Sequence, residues 1–259
     1  MTTHFTRAIA RRPGDSYLQG LTTSNEGPPN LAKAILQHNI YVQTLEDLGL
    51  SVTVLAANDA FPDSVFVEDT AILTPEITVL TRPGAVSRRD ETVSIKAALL
   101  DRFDAITEIV APGTVDGGDI CETDSKVLIG LSNRTNLEGA MQLKLALETV
   151  GRPAEIVDIR SVPGLLHLKT GISYLGAGRM AVMEALASLS WLADFDRVLV
   201  PTSESYAANC IAVNGSVIMA EGYPRFFETL DRLGLKPIPL DVSEYRKMDG
   251  GLSCLSLRF

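Results

Sequence analysis

The order of strands and helices repeats along this sequence, and the repeat limits the folds open to the chain more than any single motif does. The spacing of apolar residues predicts successive passes of strand, strand, helix and strand, each about 50 residues long. Four passes lie within the chain, and a fifth is complete only if the last strand, 251–259, joins the strand at 4–11 and the elements after it. Such recurrence is typical of a closed ring of units. We therefore expect an α/β fold of five ββαβ units that forms one domain over residues 1–259.

Several elements carry boundary signals. Asn30 is a predicted N-cap for the first helix, and Gly49 closes that helix before a strand at 51–55. Ser87 is predicted to cap a second helix, which ends near Phe103. The other strands and helices are predicted at 65–73, 77–81, 106–110, 118–123, 126–131, 136–150, 154–159, 166–175, 178–183, 184–192, 197–200, 209–214, 215–220, 226–233 and 237–240.

Chemically active side chains stand where the first strands of most units begin. If the units are equivalent, these positions lie together near the axis of the ring. Strand alternation places Cys254 on the face opposite Leu255 and Leu257, and places His167 opposite its neighbouring leucines. A lone cysteine or histidine is more often inert, so the convergence of the positions is what favours a site. The positions are Glu68 and Asp69, Asp116 and Asp119, His167, Asn209, and Cys254.

These residue types match those of catalysis by a cysteine nucleophile. A thiol needs a nearby base, and that base is oriented by a third group. Gly117 and Gly118 would let the backbone come close while Asp116 bonds the imidazole of His167. The same Asp-Gly-Gly-Asp stretch is also typical of a plain turn, and both interpretations stay open.

Charge and cysteine content exclude other classes of protein. The chain has 32 acidic and 23 basic residues, a net charge of −9, which argues against nucleic acid or an anionic membrane as partner. The sequence has no run of about 20 apolar residues and no apolar signal core at its start, so we expect a soluble cytoplasmic protein. Cys121, Cys210 and Cys254 are widely spaced and match neither a disulfide framework nor a paired metal motif.

A set of longer motifs follows in order along nearly the whole chain. The motifs are 61–69 (FPDSVFVED), 81–85 (TRPGA), 87–89 (SRR), 116–119 (DGGD), 132–136 (SNRTN), 166–169 (LHLK), 207–210 (AANC) and 249–254 (DGGLSC). Through these motifs the sequence resembles the dimethylarginine dimethylaminohydrolases, a family of the guanidine-modifying pentein superfamily. The resemblance implies a five-bladed α/β propeller with pseudo-fivefold symmetry, in agreement with the repeat.

The resemblance also implies roles for individual residues. Cys254 matches the family nucleophile, His167 its general acid and base, and Asp116 the acid that orients the histidine. This orienting acid is glutamate in some relatives, so an aspartate reaches one methylene less far. The implied substrate contacts are Arg88 and Arg134 for the α-carboxylate, Asp63 and the carbonyl of Leu21 for the α-amino group, and Glu68, Asp69, Asp249 and the carbonyl of Met248 around the guanidinium.

The reaction implied by the resemblance is hydrolysis of a small-molecule substrate. Asymmetric dimethylarginine or monomethylarginine would give citrulline and a methylamine through a covalent thiouronium intermediate on Cys254. No metal or organic cofactor is expected, and the sequence decides nothing between a monomer and a homodimer.

The sequence is less compatible with five alternatives. Arginine deiminases of the same fold are generally longer, and agmatine deiminases have no α-carboxylate for Arg88 and Arg134 to hold. Papain-like peptidases place the cysteine before the histidine, whereas here the order is acid, histidine, cysteine. A structural zinc site lacks paired ligand spacing. A non-catalytic amino-acid-binding module need not keep Cys254, His167 and Asp116 together.

Overall fold

The strands of residues 4–259 form five three-stranded sheets, one for each blade of an α/β propeller. The structure is a computed structural model, and it describes residues 4–259. The five sheets confirm the predicted ring of five units. The strands are β1 (Arg7–Arg11), β2 (Ser51–Leu55), β3 (Ala71–Leu73), β4 (Thr78–Leu80), β5 (Thr107–Glu108), β6 (Ile120–Glu122), β7 (Val127–Leu131), β8 (Ala154–Asp158), β9 (Ile172–Gly176), β10 (Arg179–Met183), β11 (Asp196–Val200), β12 (Ile211–Val213), β13 (Ser216–Ala220), β14 (Pro237–Leu240) and β15 (Ser256–Arg258).

All five sheets share one pairing scheme. The central strand is antiparallel to the first strand of its blade and parallel to the third, as in β3-β4-β5. In the fifth blade β1 is central, with β15 antiparallel on one side and β2 parallel on the other. The carbonyl of Phe259 accepts hydrogen bonds from the amides of Thr6 (3.0 Å) and Arg7 (2.8 Å). The two ends of the chain therefore close the ring, as the sequence predicts.

The outer helices connect the second and third strands of four blades. Asn30 caps the first helix by accepting a hydrogen bond from the amide of Lys33 (2.9 Å), as predicted. The second helix begins at Glu91 after Asp90, so the prediction that Ser87 caps it is wrong; Ser87 lies in a separate 3₁₀ turn. The helices are α1 (Leu31–Asp47), α2 (Glu91–Leu100), α3 (Leu137–Thr149), the short α4 (Leu168–Gly171), α5 (Pro224–Arg232) and the short α6 (Ser243–Arg246).

The helix predicted at 184–192 is wrong. Within the described residues, the third blade connects β10 and β11 through two 3₁₀ turns, Glu184–Leu186 and Ser190–Leu192. Leu186 and Leu192 are fully buried, with the partly buried Leu189 between them. Their spacing of three residues matches the three residues per turn of a 3₁₀ helix better than the 3.6 of an α-helix.

The first strand of each blade is shorter than predicted because a helical turn precedes it. The strands predicted at 65–73 and 166–175 begin only at Ala71 and Ile172. The last strand likewise begins at Ser256. The five preceding turns are Val67–Thr70, Gly117–Asp119, α4, Thr202–Ala208 and Ser253–Leu255. Each blade therefore presents a turn, not a strand, at one end of the ring.

Apolar clusters between the blades and their helices hold the ring together. On α3 the side chains of Ala140, Leu143 and Leu147 are fully buried and lie on one face of the helix. On α1 the buried Tyr41 also donates or accepts a hydrogen bond with Ser256 Oγ (2.7 Å), which ties this helix to β15. Over residues 4–259, the helices are too short or too polar to cross a membrane.

Neighbouring turns at the ring mouth are in close backbone contact, and this contact predicts the effect of Gly117→Ala. A Cβ at position 117 would lie 2.0 Å from the backbone oxygen of Glu68. We expect the substitution to lower the free energy of unfolding by about 1–3 kcal/mol, and the Tm by about 2–4 °C for each kcal/mol. Differential scanning calorimetry measures this change. Gly151→Asn is the control, because position 151 has φ +78° and open space and asparagine tolerates that conformation. Equal effects of the two substitutions would contradict the prediction.

Candidate active site

One cavity of about 550 Å³ opens where the five turns meet. Each blade contributes at least one lining residue from the region just before its first strand, and these include Glu68, Gly118, His167, Asn209 and Cys254. Of the positions predicted to converge, Glu68, His167, Asn209 and Cys254 line this cavity, whereas Asp69, Asp116 and Asp119 do not. A thiol, an imidazole and a carboxylate thus line one cavity.

Cys254 lies in the turn Ser253–Leu255 and not in a strand. The prediction of its direction from strand alternation is therefore wrong, although its place at the ring mouth is right. Its amide donates to the carbonyl of Gly251 (3.2 Å), and Asn209 holds the preceding residue. Asn209 Oδ1 accepts from the Ser253 amide (3.0 Å), and Asn209 Nδ2 donates to Ser253 Oγ (3.0 Å). The half-buried thiol is thus fixed from the neighbouring blade.

His167 also stands at the start of a helical turn, where it is the residue before α4. Its Nε2 lies 3.0 Å from Asp116 Oδ2. A Cβ at position 118 would lie 2.7 Å from His167 Nδ1, so a glycine is needed there for the imidazole to lie against this turn. Asp116 is itself held, since its Oδ1 accepts from the Gly84 amide (2.7 Å). The shorter acid therefore reaches the imidazole directly.

The electrostatics of the cavity keep the imidazole protonated and the thiol neutral. Burial alone would lower the pKa of His167, but the carboxylates of Asp69, Asp119 and Asp116 raise it to about 9. Burial raises the pKa of the Cys254 thiol, and Glu68 and Asp69 raise it further, to about 12. At neutral pH the resting pair is thus an imidazolium and a thiol.

Glu68 is one of the predicted guanidinium partners, and protein groups surround its carboxylate. Lys169 Nζ lies 2.6 Å from Glu68 Oε1, and Ser253 Oγ donates to Oε2 (2.7 Å). Arg258 Nη2 lies 3.5 Å from Oε1. Glu68 therefore faces the cavity with its charge already partly neutralised.

Asp69, the other acid of that pair, lies behind the cavity. Its Oδ1 accepts from the Gly118 amide (2.9 Å), and Arg88 Nη1 lies 2.6 Å from its Oδ2. Burial would raise the pKa of Asp69, but His167 and Arg88 lower it to about 2. Asp69 is therefore ionised and links the arginine to the histidine.

Arg88 is buried and surrounded by acceptors from the protein. Besides Asp69, its guanidinium bonds both oxygens of Glu91 and donates to the carbonyls of Asp63 and Phe66. Burial raises the pKa of Glu91 to about 7 even against the charge of Arg88. Arg88 thus already uses most of its N–H donors within the protein.

The remaining predicted substrate contacts form a group beside Arg88. The amide of Leu21 donates to Asp63 Oδ1 (3.0 Å), and Met248 lies next to this carboxyl across Gly20. Burial raises the pKa of Asp63, against the opposing charges of Arg88 and Arg134. Within residues 4–259 the half-buried Arg134 contributes its amide, which donates to Ser132 Oγ (2.9 Å), and no guanidinium bond.

Asp249 lines the cavity and is bonded by the loop that follows Leu21. Its Oδ2 accepts from the Thr23 amide (2.5 Å) and from Thr23 Oγ1 (2.9 Å). The two following glycines allow close contacts, since a Cβ at position 250 would lie 2.3 Å from the Phe66 ring. A Cβ at position 251 would lie 2.5 Å from the Asn209 side chain. These glycines let the backbone pass close to Phe66 and Asn209 just before the turn that carries Cys254.

Several residues of the cavity are missed by the sequence reasoning. Arg246 Nη2 lies 2.6 Å from Glu26 Oε2, and its guanidinium lies 5.6 Å from the centre of the Tyr206 ring. Lys169 is quoted in a sequence motif but given no role. Lys169 lies two residues after His167, which is a signal that could have found it. Glu26 and Arg246 carry no comparable signal, because they lie far apart in the sequence, in a loop and at the end of α6. The cavity residues without a sequence prediction include Glu26, Lys169, Tyr206, Tyr223 and Arg246.

One group of side chains has ligand atoms close enough together to surround a metal ion. Atoms of Asp69, Asp116 and His167 lie within 4.8 Å of one another. The guanidinium of Arg88, 2.6 Å from Asp69, places a cation there already and disfavours a second. The arrangement favours proton transfer over metal binding.

The ring of five blades defines the class of this protein, which is a pentein. No family model matches the chain. A dimethylarginine dimethylaminohydrolase of Pseudomonas aeruginosa is 46% identical over 257 residues, which cover 98% of this chain and 100% of the relative. An enzyme of the same name from Streptomyces coelicolor is 34% identical over 254 residues, with 97% and 96% covered. Within the pentein class, the chain belongs to the dimethylarginine dimethylaminohydrolase family.

Solved structures agree with this assignment. A cysteine-to-serine mutant of the Pseudomonas aeruginosa enzyme, complexed with citrulline, has a TM-score of 0.96 and 44% identity and covers 99% of this chain and 100% of its own. A histidine-to-glycine variant of dimethylarginine dimethylaminohydrolase, as an adduct with S-methyl-L-thiocitrulline, has a TM-score of 0.95. The N-terminal domain of ArgZ, an arginine dihydrolase, shares the fold with a TM-score of 0.86 at 20% identity.

Proposed function

We propose that this protein hydrolyses Nω-methylated arginines to citrulline and a methylamine through a covalent intermediate on Cys254. The observation that carries the proposal is the single cavity in which Cys254 and His167 meet, with Asp116 Oδ2 3.0 Å from the imidazole. A nucleophile, a base and an orienting acid are the parts that covalent catalysis requires. The family relatives that carry the name of this activity support the same reaction.

The acidic groups of the cavity suit a cationic substrate. Glu68 and Asp249 line the cavity, and Asp69 lies behind Gly118. A guanidinium bound here supplies the positive charge that the carboxylates attract and orient. The same charge lowers the pKa of the Cys254 thiol, so the thiol loses its proton to solvent largely when the substrate is bound.

The first half of the reaction forms the adduct. The Cys254 thiolate attacks the central carbon of the guanidinium and makes a C–S bond. His167, whose Nε2 is bonded to Asp116, donates a proton from its other nitrogen to the departing amine. The C–N bond then breaks, and dimethylamine leaves a thiouronium on Cys254.

The second half hydrolyses the adduct. His167, now neutral, takes a proton from water, and the resulting hydroxide attacks the same carbon. The C–S bond breaks with its electron pair on sulfur, which restores the thiolate, and citrulline is released after its hydroxyl proton passes to solvent. The fixed Asp116 keeps the same nitrogen of His167 directed at the reacting atoms in both halves.

The amino-acid end of the substrate is bound on the side of Leu21. The guanidinium of Arg134, which has no bond within residues 4–259, can donate bidentately to the α-carboxylate. Arg88 joins it by exchanging an acceptor, and Asp63 with the Leu21 carbonyl holds the α-amino group. This end of the site is what distinguishes a methylated arginine from agmatine, which lacks the carboxylate.

Because a bound guanidinium is proposed to promote ionisation of the Cys254 thiol, the pKa of this thiol should depend on the charge of the ligand. Methylguanidinium should lower the pKa of Cys254 by about 1–3 pH units, because a cation within about 4–6 Å favours the anion. Methylurea has the same shape without the charge and should have a smaller effect. The ultraviolet absorbance of the thiolate, followed against pH with Cys254→Ser as the baseline, measures the change. Equal titrations with both ligands would count against this step.

A product assay tests the proposed function against its alternatives. Purified protein is incubated separately with asymmetric dimethylarginine, arginine and agmatine, and the ureido product and released amine are measured. Citrulline and dimethylamine from the first substrate support the proposal. Greater turnover of arginine or agmatine supports a deiminase, and binding without turnover supports an amino-acid-binding module.

We further propose that residues 1–259 act as one catalytic domain in the cytoplasm, without a metal or organic cofactor and without a nucleic acid or membrane partner. The fifth blade draws strands from both chain ends, which supports one catalytic unit. The free thiols of Cys121 and Cys210 suit a reducing compartment.

A further inference from the structure

Asp119 is a fully buried carboxylate that the proposed mechanism does not use. Its Oδ2 accepts hydrogen bonds from Ser132 Oγ and Thr135 Oγ1, both 2.7 Å, and its Oδ1 accepts from the Leu168 amide (2.9 Å). These partners are neutral, and no Lys or Arg of residues 4–259 forms an ion pair with it. A buried carboxylate whose hydrogen-bond partners are all neutral is costly to ionise.

The bonds of Asp119 lead to both members of the Asp116 and His167 pair. Thr135 Oγ1 donates to Asp119 and also accepts from the Asp116 amide (3.1 Å). Leu168, whose amide bonds Asp119 Oδ1, directly follows His167. One carboxylate therefore fixes the backbone at the orienting acid and at the histidine.

A glycine opposite Asp119 makes this arrangement close-fitting. A Cβ at position 130 would lie 3.3 Å from Asp119 Oδ1 and 2.9 Å from the Leu168 side chain. The Asp119 amide also donates to the Asp116 carbonyl (3.0 Å). The turn that contains Asp119 is thus bonded internally and packed against its neighbours, which leaves Asp119 and Leu168 little room to move.

His167 is the group whose positive charge acts on Asp119. Burial raises the pKa of Asp119 to about 6, and His167 and the two hydroxyls oppose the rise. In turn Asp119 is one of the acids that hold the pKa of His167 high. The charged groups around the imidazole from the neighbouring turns are Glu68, Asp69, Asp116, Asp119 and Lys169.

We propose that Asp119 is a positioning residue, which holds Asp116 and His167 in the geometry for proton transfer and stabilises the imidazolium. Its effect on turnover rests on the function proposed above, whereas its effect on the protonation of His167 does not.

The substitution Asp119→Asn tests this role, because it keeps the size of the side chain and one acceptor oxygen while removing the charge. We expect kcat for asymmetric dimethylarginine to fall about 10- to 100-fold, the size of loss seen when a reacting group is misplaced. KM should change by less than about threefold, because the residue does not touch the substrate. The midpoint of His167 protonation, followed by NMR of the imidazole, should move to lower pH.

Glu204→Gln is the matched control. Glu204 is another buried acid; it accepts from the amides of Arg225 (3.1 Å) and Phe226 (2.8 Å) at the start of α5. Its replacement should leave kcat and the His167 titration unchanged. An equal effect of the two substitutions would assign Asp119 a general structural role and overturn the proposal.

A second pair of variants keeps the test valid if Asp119→Asn does not fold. Thr135→Val removes the hydroxyl that joins Asp119 to the Asp116 amide, and Thr135→Ser retains it. We expect the valine variant to lose activity and the serine variant to keep it. Equal activity of the two, or an unchanged His167 midpoint in folded Asp119→Asn, would overturn the proposal. A wild-type protein without turnover would refute the proposed function alone, since the NMR titration would still decide the role of Asp119.

Discussion

Replacing Cys254 with serine is expected to abolish the release of dimethylamine from asymmetric dimethylarginine while leaving substrate binding nearly intact. Serine fits the turn at Ser253–Leu255, so the cavity keeps its shape. An alcohol, however, ionises far less readily than a thiol, and a guanidinium carbon is a poor electrophile that needs an anionic nucleophile. We expect turnover to fall by at least about 10³-fold, the range in which enzymes lose an essential nucleophile.

Calorimetric titration with asymmetric dimethylarginine and a citrulline assay measure the two halves of this prediction. Cys210→Ser is the control. Burial raises the pKa of the Cys210 thiol to about 12, the same value as for Cys254. Cys210 lies among the apolar residues between blades, away from the lining of the active-site cavity. The control should therefore retain activity, and turnover by Cys254→Ser at the wild-type rate would remove Cys254 as the nucleophile.

The sequence predicts the number of blades but not how each one begins. Strands such as β2 and β14 match their predicted limits, because alternation and flanking turn residues act locally. The stretch at 65–73 reads as one strand, yet Glu68 and Asp69 lie in a turn. Their carboxylates bond Lys169, Ser253 and Arg88, which come from other parts of the chain. Bonds to partners so distant in the sequence override the local preference for a strand, and no local sequence pattern predicts them.

The same distinction holds for the site. Cys254 and His167 can be placed at the ring mouth from the repeat, since equivalent positions in equivalent units converge. The engagement of Arg88 by Glu91 and Asp69 cannot be predicted this way. It depends on side-chain directions in a buried network. As a result, within residues 4–259 the guanidinium of Arg88 is bonded and that of Arg134 is not, although the same role is expected for both arginines.

Replacing His167 with alanine is expected to divide the reaction into its two halves. Dimethylamine leaves only after protonation, so with asymmetric dimethylarginine the variant should lose activity by at least about 10³-fold, at the upper end of what acid–base catalysis contributes. S-methyl-L-thiocitrulline instead loses methanethiol, which departs without a proton from the enzyme. With this compound the adduct on Cys254 should form and then persist, because no base activates water.

Intact-protein mass spectrometry and the amount of methanethiol per enzyme measure that adduct. The double variant with Cys254→Ser should form none, and His4→Ala, at an exposed histidine, should behave as wild type. Wild-type turnover of asymmetric dimethylarginine by His167→Ala would refute both roles of the histidine. An adduct that forms and decays as fast as in the wild type would leave His167 as the acid of the first half but refute it as the base of the second. A persistent adduct would establish that the imidazole held by Asp116 is the group that activates water.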